Sequence, residues 1–184
     1  MVNFNLTNSQ TNSSSSIATN LVFIDTAVAN FSNLLAGLKP NTEAIVLDPT
    51  QDGISQITNF LSQRSGIVDS IQILGHGAAG MLQLGSTSLS SENLQQYQSA
   101  LSTWFSPQTG KTPDLLIYGC DVASGEIGAN FIQKLSQITG ADVAASGATI
   151  IGFQPGSLFA SDKPLAVLTG VNAASLTPNS FLVV

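Results

Sequence analysis

A single cysteine and a single histidine leave this chain of 184 residues few ways to do chemistry. One thiol cannot close an intramolecular disulfide, and one thiol with one imidazole cannot build a dedicated Cys/His zinc cage. Charge is scarce too. The chain has 5 Lys and Arg against 11 Asp and Glu, a net charge of −6, so nucleic acid is not an expected partner. No stretch approaches the roughly 20 apolar residues that span a bilayer. The N-terminus lacks the basic region and continuous apolar core of a secretory signal, and none is read there. What is plentiful is apolar residues, 43% of the chain, ample for one buried core. Ser, Thr, Asn and Gln with little Lys is a balance common in exported bacterial proteins.

Residues 1 to about 19, including Asn3, Asn5, Thr7, Asn8 and the run from Thr11 to Ser16, bury little apolar surface and read as a disordered polar leader. From Leu21 onward, short apolar runs alternate with amphipathic segments, the pattern of βαβ units around a mainly parallel sheet. Strands are expected at Leu21–Ile24, Ala44–Leu47, Ser70–Leu74, Leu115–Tyr118 and Asp142–Ala144. Asp52 is placed to cap a helix with Ile54, Ile57, Phe60 and Leu61 on one face and Gly66 past its end. Ser90 or Ser91 is the expected cap of a second helix, with Leu94, Tyr97, Leu101 and Trp104 inward and Pro107 closing it. A third runs from about Gly125 to Thr139, with Ile127, Phe131, Leu135 and Ile138 inward and Gly140 as its stop. A short helix near Asn30–Leu38, a strand and turn at Met81–Thr87 forming a hairpin arm beside His76, and a strand at Leu165–Leu168 complete the reading. The domain is taken as residues 20–150, and residues 151–184 as a C-terminal extension that completes it.

The two scarce residues occupy matching positions. Ser70-Ile71-Gln72-Ile73-Leu74-Gly75-His76-Gly77 and Asp114-Leu115-Leu116-Ile117-Tyr118-Gly119-Cys120-Asp121 each end an apolar strand in a glycine turn. In an open α/β sheet, side chains just past the carboxyl ends of strands line the ligand crevice. A thiol with a pKa of about 8.5 is mostly protonated at neutral pH, and an adjacent imidazole creates or stabilises the thiolate. A free cysteine is most often a small core hydrophobe. Cys120, however, precedes a helix start near Ser124-Gly125-Glu126, whose partial positive charge favours thiolate. A histidine between glycines can be an ordinary turn residue, but Gly77 permits a sharp turn that frees an amide. The Gly77 and Cys120 amides are the expected oxyanion hole.

No acid or amide stands out as the orienting partner of the imidazole, a role a backbone carbonyl can fill. Asp25 and Asp48 fall at strand carboxyl ends and Asp121 adjoins the thiol. Singly each is a typical turn or cap residue, and together they favour a basic side chain as ligand. Paired metal ligands at short spacing are absent, so no metal site is expected. Gly75-His76-Gly77-Ala78-Ala79-Gly80 satisfies a dinucleotide-type glycine pattern, but the internal histidine and the lack of a following helix argue against a phosphate cradle.

A strand ending in His-Gly, then a helix, then a strand ending in Gly-Cys resembles the caspase-like cysteine peptidases, including the gingipain, metacaspase, separase and CHAT groups. The His76 to Cys120 spacing is close to the roughly 50 residues seen in caspases. More specifically, six segments in order resemble a bacterial domain of unknown function found at the front of very large, repeat-rich surface or secreted proteins. They are Leu21–Asp25, Leu47-Asp48-Pro49, Gly75–Gly80, Leu82–Gly85, Tyr118–Ala123 and Thr139–Ser146, and the similarity covers about residues 20–147. This resemblance implies a three-layer αβα sandwich of the caspase-haemoglobinase type, with His76 as base or proton shuttle and Cys120 as nucleophile. It further implies a specificity pocket near Asp25, Tyr118 and Ser146, where Asp25 selects Arg or Lys. The caspase hallmark Q-A-C-[RQG]-G is replaced by Tyr118-Gly119-Cys120-Asp121-Val122, so specificity for Asp is not expected.

The expected function is a cysteine endopeptidase that cuts after a basic residue in its own chain or a neighbouring domain. The alternatives are a catalytically silent caspase-like adaptor and an acyl transferase with the same dyad. No cofactor is required. Ca²⁺ activation suits an acidic crevice, yet no EF-hand-like loop backs it. The resemblance places the chain within a larger surface or secreted bacterial protein.

Overall fold

The computed structural model describes residues 2–4, 18–28, 38, 41–107, 110–147 and 167–169. In chain order these form β1 (Val2–Phe4), β2 (Asn20–Asp25), β3 (Thr42–Leu47), α1 (Gly53–Ser62), β4 (Ser70–Leu74), β5 (Gly77–Ala78), β6 (Met81–Leu84), β7 (Thr87–Ser90), α2 (Leu94–Leu101), β8 (Asp114–Tyr118), α3 (Gly125–Thr139), β9 (Asp142–Ala145) and β10 (Val167–Thr169). A seven-stranded sheet has the order β1-β3-β2-β4-β8-β9-β10. The inner strands β3, β2, β4, β8 and β9 pair in parallel, and β1 and β10 join the two edges antiparallel.

Strands buried on both faces need near-continuous apolar sequence, as these runs have. Alternate residues serve opposite layers. Leu21 and Phe23 of β2, with Ile71 and Ile73 of β4 and Leu115 and Ile117 of β8, pack under α1, α2 and α3. Val22, Ile24 and Ala44 form a second cluster on the other face, with Leu38 and Leu74 against it. The fold is therefore the α/β three-layer sandwich on a mainly parallel sheet that the sequence pattern and the resemblance led us to expect.

Several local expectations shift. Ile127 is 65% exposed instead of inward, because Gly128 takes the inward position in the first turn of α3. A Cβ at Gly128 would lie 2.3 Å from the Ala123 carbonyl carbon, so the helix sits directly on the preceding loop and Ile127 turns to solvent. Helix α2 begins after Asn93, not Ser90 or Ser91, since Ser90 is already paired in β7. It ends at Leu101, and Trp104 reaches the core from the following turn, donating from Nε1 to Thr58 Oγ1 at 3.0 Å. Strand β1 falls inside the stretch read as a disordered leader, which is thus not unpaired at these residues: β3 is an edge of the parallel sheet and offers backbone groups to a further strand. The strand expected at Leu165–Leu168 is found as β10, Val167–Thr169. The helix expected at Asn30–Leu38 and most of residues 151–184 lie outside the described residues.

The hairpin β6–β7 and the short strand β5 form a separate three-stranded sheet above the carboxyl ends of the main strands. Asp52 fastens it. Its Oδ1 caps α1 by accepting the Ser55 N–H at 2.7 Å, and its Oδ2 accepts the hydroxyls of Thr87 at 2.5 Å and Tyr97 at 2.8 Å. Burial opposes the Asp52 charge, but the hydrogen bonds from Thr87, Ser55 and Tyr97 outweigh it and hold the carboxyl below its ordinary range. The same carboxylate pushes the Tyr97 hydroxyl upward. A carboxyl depressed on folding adds stability above its unfolded pKa and loses it as pH falls through the folded value. Asp52→Asn is expected to lose about 1–2 kcal/mol at neutral pH. Thermal unfolding of both proteins from pH 7 downward checks this, with the gap closing below about pH 4.

Candidate active site

Parallel pairing of β4 with β8 sets Leu74 opposite Tyr118, so the two glycine turns leave the sheet side by side and at one level. The Gly75 N–H continues the pairing, donating to the Tyr118 carbonyl at 3.2 Å. Beyond it the two turns touch backbone to backbone. A Cβ at Gly77 would lie 2.4 Å from Val122 Cγ2 and 3.0 Å from the Cys120 carbonyl oxygen. One at Gly119 would lie 2.9 Å from the same methyl and 3.2 Å from the Gly75 carbonyl oxygen. Val122 is fully buried and acts as the plug on which both turns rest. His76 and Cys120, two positions past the paired Leu74 and Tyr118, are both exposed on this platform.

The imidazole is tethered from a third strand end. His76 Nε2 lies 3.0 Å from the Ala27 carbonyl oxygen, in the turn that follows β2. A carbonyl only accepts, so Nε2 carries the proton in the neutral ring and Nδ1 is left as the acceptor. This supplies the orienting group for which the sequence offers no side chain. The turn itself is bound by Asp25, whose backbone carbonyl accepts the Val28 N–H at 3.1 Å and whose Oδ1 accepts the Ala27 N–H at 2.8 Å. Its Oδ2 accepts the Gly85 N–H at 2.7 Å, in the β6–β7 turn. Asp25 is only 1% exposed, so the residue expected to wall a pocket for basic side chains lies beneath the site with both oxygens engaged.

The expected oxyanion-hole amides belong to these two turns. The Gln83 N–H donates to the His76 carbonyl at 2.8 Å, which makes His76 and Gln83 the hydrogen-bonded pair of the β5–β6 ladder. The next pair, Gly77 with Leu82, is then the non-hydrogen-bonded one, and the Gly77 N–H points away from the hairpin. On the other turn, the Ser146 hydroxyl donates to the Gly119 carbonyl. The peptide is trans, so gripping its C=O aims its N–H, that of Cys120, in the opposite direction. Ser146, expected in the pocket wall, thus sets the orientation of an expected oxyanion-hole donor. Its own carbonyl accepts the Ala123 N–H at 2.9 Å and binds the far end of the same loop. Asp121 adopts a left-handed φ of 55°, which Asp tolerates better than most residues. Gly147 packs against it where a Cβ would come within 2.5 Å of the Asp121 Cα.

Tyr118 ends β8 half-buried beneath the Cys120 turn. Asp48 points elsewhere, accepting from the Thr50 hydroxyl and N–H and from the Gln51 amide, contacts that lower its carboxyl pKa. Ala27 and Val122 carry no sequence signal of their roles, one acting through a backbone carbonyl and the other as an apolar residue in a loop. Among the described residues no group of three or more His, Cys, Asp or Glu is placed to hold a metal ion, and no helix is long and apolar enough to cross a membrane.

Fold and site together define an α/β sandwich whose solitary His and Cys share one platform at the carboxyl edge of a parallel sheet. The chain belongs to the family described as domain of unknown function DUF4347, whose model matches residues 21–156. No curated protein matches it.

The glycine contact has a direct test. Gly77→Ala is expected to destabilise the fold by about 1–3 kcal/mol through overpacking on Val122. It should also slow Cys120 alkylation by spreading the turns, and thermal unfolding with a thiol assay reads both effects.

Proposed function

We propose that this domain is a cysteine endopeptidase in which His76 and Cys120 form the catalytic dyad. The observation that carries the reading is the tether of His76 Nε2 to the Ala27 carbonyl, which leaves Nδ1 as the proton acceptor on the turn that packs against the Cys120 turn. The resemblance to caspase-like peptidases supports it, as does the exposure of both residues, since a structural cysteine would be buried.

The reaction follows from these groups. Nδ1 takes the thiol proton, and the Cys120 sulfur bonds to the scissile carbonyl carbon while the carbonyl π pair moves to oxygen. The resulting oxyanion is met by the Gly77 and Cys120 amides, donors fixed before the substrate arrives. Collapse of the adduct breaks the C–N bond, and His76 delivers its proton to the departing amine. Water, deprotonated by the same imidazole, then attacks the thioester and releases the acid and the thiol. With Asp25 enclosed, the acidic group facing solvent beside the nucleophile is Asp121, and the preference for a basic substrate residue rests on it.

Incubating the protein with a proteome-derived peptide mixture and reading new termini by mass spectrometry tests the proposal. The wild type is expected to yield cleavages that Cys120→Ala abolishes and His76→Ala reduces by about 100-fold or more. Identical termini from the wild type and Cys120→Ala would reject the peptidase and leave the adaptor reading.

A further inference from the structure

The buried carboxylate of Asp25 has no part in the reaction above, and its hydrogen bonds lead to the imidazole. We propose that Asp25 is a positioning residue for His76, acting through the turn that carries the Ala27 carbonyl. The chain of contacts is short. Oδ1 holds the Thr26–Ala27 peptide by its N–H at 2.8 Å, and the Asp25 carbonyl holds the Ala27–Val28 peptide by its N–H at 3.1 Å. The C=O of that second peptide is the one that accepts from His76 Nε2 at 3.0 Å. A peptide whose N–H is already donating is polarised and becomes a better acceptor at its C=O, so the two bonds reinforce each other.

The remaining oxygen removes the last freedom of the turn. Oδ2 accepts the Gly85 N–H at 2.7 Å, which pins the carboxylate against the β6–β7 turn. That turn is itself immobilised: a Cβ at Gly85 would lie 2.3 Å from the Gln51 carbonyl oxygen, and the Ser86 N–H donates to the same oxygen at 2.9 Å. Asp25 is therefore clamped between a fixed turn and a turn it fixes. It is 1% exposed, so water does not compete with these amides for its oxygens. Asn has nearly the same shape but offers an NH₂ where one of these amide donors needs an acceptor, so Asp25→Asn breaks one arm with little change in volume.

The consequence for the thiol rests on the proposed dyad, but the consequence for the ring does not. The chain has one histidine, so its imidazole is unambiguous in ¹³C relaxation measurements. In the folded wild type the ring is expected to be ordered like rigid backbone, with an order parameter of about 0.85, falling below about 0.6 in Asp25→Asn. Cys120 alkylation should fall in the same variant toward the rate of His76→Ala. Lys111→Ala, which breaks the ion pair with Asp69 at the opposite end of β4, should leave ring order unchanged. A folded Asp25→Asn with an ordered ring would overturn the assignment. If that variant does not fold, Ala27 amide exchange in the wild type decides: slowing by about 10-fold or more over the free peptide supports the clamp, and free exchange refutes it. A ring freed in Asp25→Asn, with alkylation insensitive to His76→Ala, would keep the positioning role and reject the dyad.

Discussion

The parallel pairing of β4 with β8 is the constraint on which the site depends. Parallel strands deliver their carboxyl ends to one edge, and the register that sets Leu74 opposite Tyr118 delivers His76 and Cys120 to that edge in step. Antiparallel strands, or a slip of one residue, would send one of the two elsewhere or turn its strand inside out. Pairing alone does not bring the turns into contact. Gly77 and Gly119 remove the Cβ atoms that would hold them apart, Gly75 admits the Gln83 carbonyl of β6, and Val122 fills the space beneath. The strands are placed by apolar burial and the turns by the absence of side chains.

Above this platform the structure changes from apolar to polar cohesion. The β6–β7 hairpin presents Leu82, Leu84 and Leu89 to the core, while its turn is bound by carboxylates and amides. Gln56, buried in α1, donates to the Asp48 carbonyl at 2.9 Å and accepts the Asp48 N–H at 2.8 Å, securing the loop after β3. Asp25 and Asp52 supply the acceptors that this crowded junction of turns lacks. Each takes two or more donors, the condition under which a carboxylate withdrawn from water is tolerated. The result is a rigid rim around the exposed His76 and Cys120, with rigidity coming from groups that lie beneath them.

Much of this was legible beforehand, for reasons that differ by element. The inner strands announce themselves because burial on both faces demands continuous runs such as Leu21–Ile24 and Leu115–Tyr118. The turns after β4 and β8 stand out because glycines flank the only histidine and the only cysteine. Asp52 was recognisable as a cap, though its bonds to Thr87 and Tyr97 depend on tertiary neighbours no local pattern encodes. Ile127 fits helical spacing and still faces solvent, because the inward arc of α3 is set by how closely Gly128 approaches the loop. Asp25 illustrates the sharper limit. A strand-end acid reads equally as a ligand for a basic group or as an acceptor for backbone amides, and only the hairpin folding over it decides. The Ala27 carbonyl was invisible for a simpler reason: every residue has one.

The central claim is that the imidazole activates the thiol, and the most direct measurement is the rate of Cys120 alkylation by iodoacetamide at neutral pH in the wild type and in His76→Ala. With one cysteine in the chain, every modified molecule reports on the site. The account predicts a wild-type rate about 10-fold or more above that of His76→Ala, because the imidazole takes the thiol proton. Equal rates in the two proteins would contradict it.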